Sequence, residues 1–144
     1  MSESRDAIAT LIYSYAEMLD LGDFAGVARL FEHATYRTEG RRPHQGADEV
    51  RQVLEQMVAV YDGRPHTKHV TTNVIIEVDE SNDSGSARSY FTVFQAVDSF
   101  SLQPVIAGRY HDRFLRVGRT WRFSDRLIFV DLVGDLRHHL RRTL

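Results

Sequence analysis

Over roughly the first 62 positions, apolar residues recur at steps of three and four; after that, β-branched runs of alternating polarity take over. Ile8, Leu11, Ile12, Tyr15, Ala16 and Leu19 form one stripe, which predicts an amphipathic helix from about Ser4 to Asp20. Ser4 stands where a cap belongs, Gly22 ends the helix and Asp23 can cap the next one. "DFAGVARLF" then sets Phe24, Val27, Ala28 and Phe31 on one face. "HATYRTEG" reads as a short strand around Tyr36, "GRRPHQG" as a loop, and "ADEVRQVLEQMVAVY" as a third helix with Val50, Val53, Leu54, Met57, Val58 and Tyr61 in register. Beyond "DGRP" come four strand-like runs: "HTKHVTTNVIIEVD", "SARSYFTVFQAVDSF", "PVIAGRYHDRFLRVG" and "RTWRFSDRLIFVDLV". Short turns between successive strands imply an antiparallel meander, and helices gathered before strands imply an α+β fold. The expectation is a curved, mainly antiparallel sheet wrapped over N-terminal helices, a cone-shaped barrel with an internal cavity.

The chain has 144 residues, 42% hydrophobic and 26% charged, which fits one globular domain over 1–144 with its core at about 5–132 and a short basic C-terminal tail. The formal net charge of −2 gives no electrostatic reason to expect nucleic acid or an anionic membrane as partner. The tail "LRHHLRRTL" reads as a solvated end with surface histidines. Without cysteine there are no disulfides, thiolate metal sites or cysteine nucleophiles. The N-terminus lacks a basic start followed by an apolar run, and no stretch is long and apolar enough for a membrane span, so the expected location is cytoplasmic.

In a cone of this kind, the polar residues that point inward decide the chemistry. Strand alternation separates His66, Lys68, Val70, Thr72 and Val74 from Thr67, His69, Thr71, Asn73 and Ile75. The second set makes a polar inner row if it faces the cavity. His66 and His69 then lie on opposite faces, which disfavours a His-x-x-His metal site. Asp20 ends a helix, where a carboxylate gains nothing from the macrodipole. It reads either as a solvated acid or as a partner that orients an imidazole such as His69 into a general base. Tyr15, five residues earlier, reads as a core tyrosine or as a phenol donating to a leaving group or oxyanion. In "TWRFSDRLIFVD", Trp121, Phe123, Asp125, Leu127 and Phe129 alternate against Arg122, Ser124, Arg126, Ile128 and Val130. Arg126 is either an anion-binding cation or the partner of an acid such as Asp112. Tyr36, Tyr90 and Tyr110 are further strand phenols. No G-x-S-x-G, Gly-rich phosphate loop or helical His-Glu-x-x-His occurs.

Taken in order, "IYSYAEMLDLGDFAGVARLF", "ATYRTEG", "HTKHVTTNVIIEVD" and "GRYHDRFLRVGRTWRFSDR" resemble the SnoaL-like proteins of the nuclear transport factor 2-like, or cystatin-like cone, superfamily. The resemblance runs over about residues 5–132 and is nearest to the branch holding scytalone dehydratase, bile-acid 7α-dehydratase and hexachlorocyclohexane dehydrochlorinase. It implies an Asp–His pair at Asp20 and His69, with Tyr15 and Arg126 as further catalytic residues, and Tyr36, Asn73 and Tyr90 as substrate-binding ones. It also implies no metal or organic cofactor, a small apolar substrate, and a homodimer or homotrimer built on the outer sheet face. The function implied is a lyase (dehydratase) or isomerase. Two alternatives stay open: a cyclase or ketosteroid-isomerase-like enzyme with Asp125 or Asp131 as base, and a non-catalytic binding protein or subunit. The chain departs from scytalone dehydratase at Leu19, where that enzyme has Tyr, and at Tyr90 and Thr92, where it has a second His. At Tyr15 the dehydrochlorinase has Lys. These departures bear on the substrate.

Overall fold

The computed structural model describes residues 2–142. Three helices, α1 (Glu3–Leu21), α2 (Phe24–Leu30) and α3 (Gly46–Met57), lie against one six-stranded sheet. Its strands are β1 (Thr35–Thr38), β2 (His44–Gln45), β3 (Thr67–Asp79), β4 (Ser84–Val97), β5 (Phe100–Val117) and β6 (Thr120–Val133). The spatial order is β2-β1-β6-β5-β4-β3, so the sheet is open rather than a closed barrel. All pairings are antiparallel except β1 with β6, which is parallel. The predicted α+β class holds. β2 lies inside "GRRPHQG", read from its Gly and Pro as loop only.

The helix ends follow the local chemistry. Ser2, rather than Ser4, caps α1 by accepting from Arg5 N–H; Ser4 is buried and receives Arg116. Gly22 closes α1 in the left-handed region at φ 76°, and Asp23 caps α2 through Gly26 N–H. A side chain at Gly22 would also run into the Gly63 carbonyl, so the α1 terminus packs directly on the loop that leads into β3.

The core lies between α1 and the inner sheet face and contains Ile8, Ile12, Phe31, Val93, Phe114 and Phe123, each nearly sealed from solvent. Phe31 stacks on Phe123 at 4.7 Å, and Phe114 lies 4.8 Å from Phe123. Burying a side chain of this size is worth about 1.5–3 kcal/mol, so these rings anchor the wide sheet to the helices.

Two bulges decide which residues face inward. In β3 the register shifts between Thr72 and Ile75, with Asn73 at φ 54°. In β6 it shifts opposite Arg113 and Phe114, with Ser124 as the extra residue. Each bulge reverses the alternation beyond it. Val74, Ile76 and Val78 therefore turn inward beyond Asn73, and Trp121 and Phe123 share a face with Arg126, Ile128 and Val130.

The basic tail also departs from expectation. Residues 136–142 fold back across the end of α3, where Val58 bridges Leu140 and Arg141 N–H donates to the Met57 carbonyl. Ala59 N–H donates to the His139 carbonyl, and Gln95 Nε2 donates to the His138 carbonyl at 2.8 Å. His139 is buried, not a surface residue, and only Thr143 and Leu144 of that tail lie outside the described residues.

Candidate active site

Between the helices and the inner sheet face lies a cavity of about 300 Å³, bounded by α1, α3, β1, β6, β5, β4 and the tail. Leu19, Leu54, Val93, Ile106 and Ile128 make much of its wall apolar. The polar lining comprises Tyr15, Tyr36 and Tyr110, Thr38, His69 and His139, and, at the β1–β2 turn, Arg41, Arg42 and His44. A volume at the small end of ligand pockets, with few polar groups converging, is the form of a small-molecule site.

Asp20 and His69 meet at this wall. His69 Nδ1 lies 2.6 Å from Asp20 Oδ1, and His69 backbone N–H donates to Oδ2 at 2.8 Å. Thr67 Oγ1 donates to Oδ1 at 2.8 Å, so both carboxylate oxygens are engaged. The side chains are 6% exposed for His69 and 12% for Asp20. Burial pushes the Asp20 carboxyl up, but the hydrogen bonds and charge of His69, with the Thr67 hydroxyl, outweigh it and hold the group below its ordinary range. An anionic Asp20 accepts a hydrogen bond from Nδ1–H, which places the free lone pair of the neutral ring on Nε2, and Nε2 has no hydrogen-bond partner among the described residues. The helix-end acid is thus positioned by the Gly22 close approach, and the imidazole by the regular part of β3 before its bulge.

Beside them is a cluster of phenols. Tyr15 and Tyr36 hydroxyls are 2.6 Å apart, and both residues line the cavity. Tyr15 meets Phe31 and Tyr110 edge to face, and Tyr110 stacks on Phe91 at 4.6 Å. Burial raises the pKa of all three tyrosines; at Tyr15 the nearby Arg126 cation works against that rise. They are neutral proton donors at ordinary pH.

Arg126 is fully buried and does not line the cavity. Asp112 holds it through two parallel bonds of 2.8 and 2.9 Å. Its guanidinium carbon lies 3.7 Å from the Tyr110 ring centre and 4.3 Å from that of Tyr15, and Nη1 has no acceptor. Of the two readings of Arg126, the Asp112 ion pair is the one found. Its charge reaches the cavity only through the tyrosines in front of it.

Asn73 and Tyr90, expected to bind substrate, do neither by position. Asn73 sits on the β3 bulge and is exposed, and Tyr90 is 52% exposed on the outer sheet face. Asp125 pairs with Arg37 and Asp131 with Arg109, both away from the cavity lining. The sequence reading missed His139. Its ring centre is 6.0 Å from that of His69, and burial together with His69 lowers its pKa to about 4, so it is neutral near pH 7. No sequence signal marked it, because its burial depends on the tail folding back. Among the described residues no group of three His, Asp or Glu is arranged to hold a metal ion, and no helix is long and apolar enough to cross a membrane.

An open, six-stranded and mainly antiparallel sheet over three helices is a cystatin-like α+β fold. The chain belongs to the SnoaL-like family: the SnoaL-like domain matches residues 1–127. Known structures share the fold. A Nostoc punctiforme protein of unknown function with a cystatin-like fold superposes with TM-score 0.79 at 21% identity, over 94% of this chain and 97% of that one. LinA gives 0.74 at 21% identity, over 93% and 90%. A scytalone dehydratase-like protein from Novosphingobium aromaticivorans gives 0.73 at 20% identity, over 92% and 87%. No protein of curated function matches the sequence.

Proposed function

We propose that this protein is a cofactor-independent lyase or isomerase that abstracts a carbon-bound proton from a small, largely apolar carbonyl-type or ring-bearing substrate. The observation that carries this reading is the Asp20–His69 pair, with His69 in the wall of a largely apolar cavity and Asp20 behind it. His69 Nε2 takes a proton from the carbon next to the carbonyl, the C–H electron pair becomes the new carbon–carbon double bond, and the carbonyl π pair moves onto the oxygen. Asp20 keeps the Nδ1 proton in place and stabilises the imidazolium that forms. Tyr15, bonded to Tyr36, donates to the oxygen that gains charge or to the group that departs. Elimination follows if a hydroxyl leaves with the Tyr15 proton; isomerisation follows if His69 returns its proton to another carbon. Arg126 acts behind Tyr15 and Tyr110 as a fixed charge that favours partial negative charge on their hydroxyls.

An Asp-base mechanism has lost its two candidates to ion pairs outside the cavity, which favours His69. The test is solvent deuterium exchange at the acidic carbon of 2-tetralone, followed by NMR. The parent is expected to accelerate exchange and His69→Ala to lose about 10²–10⁴-fold, with tetralone binding retained. Exchange at equal rates in both, or binding without exchange in the parent, replaces the enzyme reading with that of a ligand carrier.

A further inference from the structure

The cavity lining contains two arginines and three histidines, and no carboxylate. Asp20 stands behind His69 and is already committed to it. Arg41 and Arg42 sit on the exposed turn between β1 and β2, at the edge of the cavity, with His44 beside them. Among the described residues neither arginine makes a side-chain hydrogen bond or an ion pair. Arg37, Arg109, Arg116, Arg126 and Arg137 each hold an aspartate or glutamate, and of the arginines without such a partner only Arg41 and Arg42 line the cavity among the described residues. Glu39 lies on the same turn and borders the neighbouring depression with Arg109 and Asp131, a depression that Arg41 also lines, with no ion pair formed between Arg41 and either acid. On the tail, Arg141 follows the lining residue Leu140 and donates to the Val58 carbonyl without lining the cavity itself. One edge of the cavity therefore carries two arginines beside a largely apolar wall.

We propose that the cavity takes a substrate whose apolar body carries a carboxylate, with the body inside and the acid held at the mouth by Arg41 and Arg42. This rests on the cavity being the substrate site. A guanidinium pair matches a carboxylate by parallel N–H donors, and adjacent apolar walls strengthen such contacts over those in open water. The reacting carbon then lies in the interior, near His69, while the acid is a fixed handle that takes no part in bond making.

Calorimetric titration of the full chain with 2-naphthoate and with its neutral counterpart 2-naphthamide tests this. Naphthoate is expected to bind about tenfold more tightly, or ~1.4 kcal/mol. The double variant Arg41→Gln/Arg42→Gln, at two exposed positions, is expected to bring the pair within about twofold while amide affinity and melting temperature stay unchanged. Raising the salt to about 0.5 M narrows the gap in the parent. Equal binding of the two probes, binding of neither, or a preference that survives the double variant overturns the proposal. His69→Ala is expected to keep the naphthoate preference. A preference that stands while tetralone exchange is independent of His69 removes the catalytic reading and leaves the anion site; exchange without the preference does the reverse.

Discussion

As pH falls, the unfolded chain takes up a proton at Asp20 near pH 4, while the folded carboxyl, held low by His69 and Thr67, still resists. The stability Asp20 contributes is complete above that point and is lost as pH drops through the folded pKa. His139 works in the same direction over a higher range. Its folded pKa of about 4 lies below the ordinary 6.5, so the unfolded state binds the proton first and stability declines between those values. The upper figure for the loss is roughly 3 kcal/mol. Urea denaturation at pH 7 and pH 4.5 is expected to show this decline in the parent and a flatter profile in His139→Leu. Arg126 gives a contrasting case. Removing one partner of a sealed ion pair leaves the other charged and alone, so Arg126→Ala is expected to cost about 3–5 kcal/mol, with Arg126→Met/Asp112→Leu recovering much of it. Chemical denaturation of the single and double variants decides. Asp20, His69 and Tyr15 each stood between a structural and a chemical reading on local sequence, and only the family resemblance set them beside one another. For Arg126 the sequence offered both an anion-binding cation and a partner for Asp112, and could not choose, because the pairing depends on the register of two strands across a separation of fourteen residues.

Helices were legible from their stripes, and their caps to within two residues, because capping is local chemistry. Strand faces were legible only up to a bulge. The assignments of Asn73 to the interior and of Trp121 and Arg126 to opposite faces assume unbroken alternation, which Asn73 and Ser124 interrupt. Deleting Ser124 removes the extra residue and leaves Trp121, Phe123, Arg126, Ile128 and Val130 on one face, so that variant is expected to keep a sharp thermal transition. Inserting one residue after Ser124 is instead expected to turn one of the two sets outward or slide Arg126 off Asp112, and so to abolish cooperative unfolding; a sharp transition in the insertion variant would show that the register here is dispensable. Gly22 ties two elements together. Ala there meets both a left-handed backbone and the Gly63 carbonyl, and it is expected to destabilise by more than the ~1 kcal/mol typical of a lost glycine. Because Asp20 lies two residues before it, the same variant should lose tetralone exchange beyond what its stability loss explains.

For the molecule as a whole, the order of helices before strands was enough to indicate the α+β cone, since few arrangements bury both a helix stripe and one sheet face. The closing of its mouth was not, because a polar basic tail reads as solvated until its backbone finds Val58 and Gln95. The outer sheet face exposes Val70, Ile75 and Tyr90. Sedimentation equilibrium is expected to give a dimer or trimer of the 16.6 kDa chain, and Tyr90→Lys to shift it towards monomer; a monomeric parent would end that expectation. The tail has a practical consequence. The shared domain stops at residue 127, yet Ile128, Val130, His139 and Leu140 form part of the cavity wall. A version trimmed to the family boundary would lose the end of β6 and the roof of the chamber together, so its inactivity would say nothing about the chemistry. Relatives compared only over the shared segment would likewise be sorted without the part of this wall that the end of β6 and the tail supply.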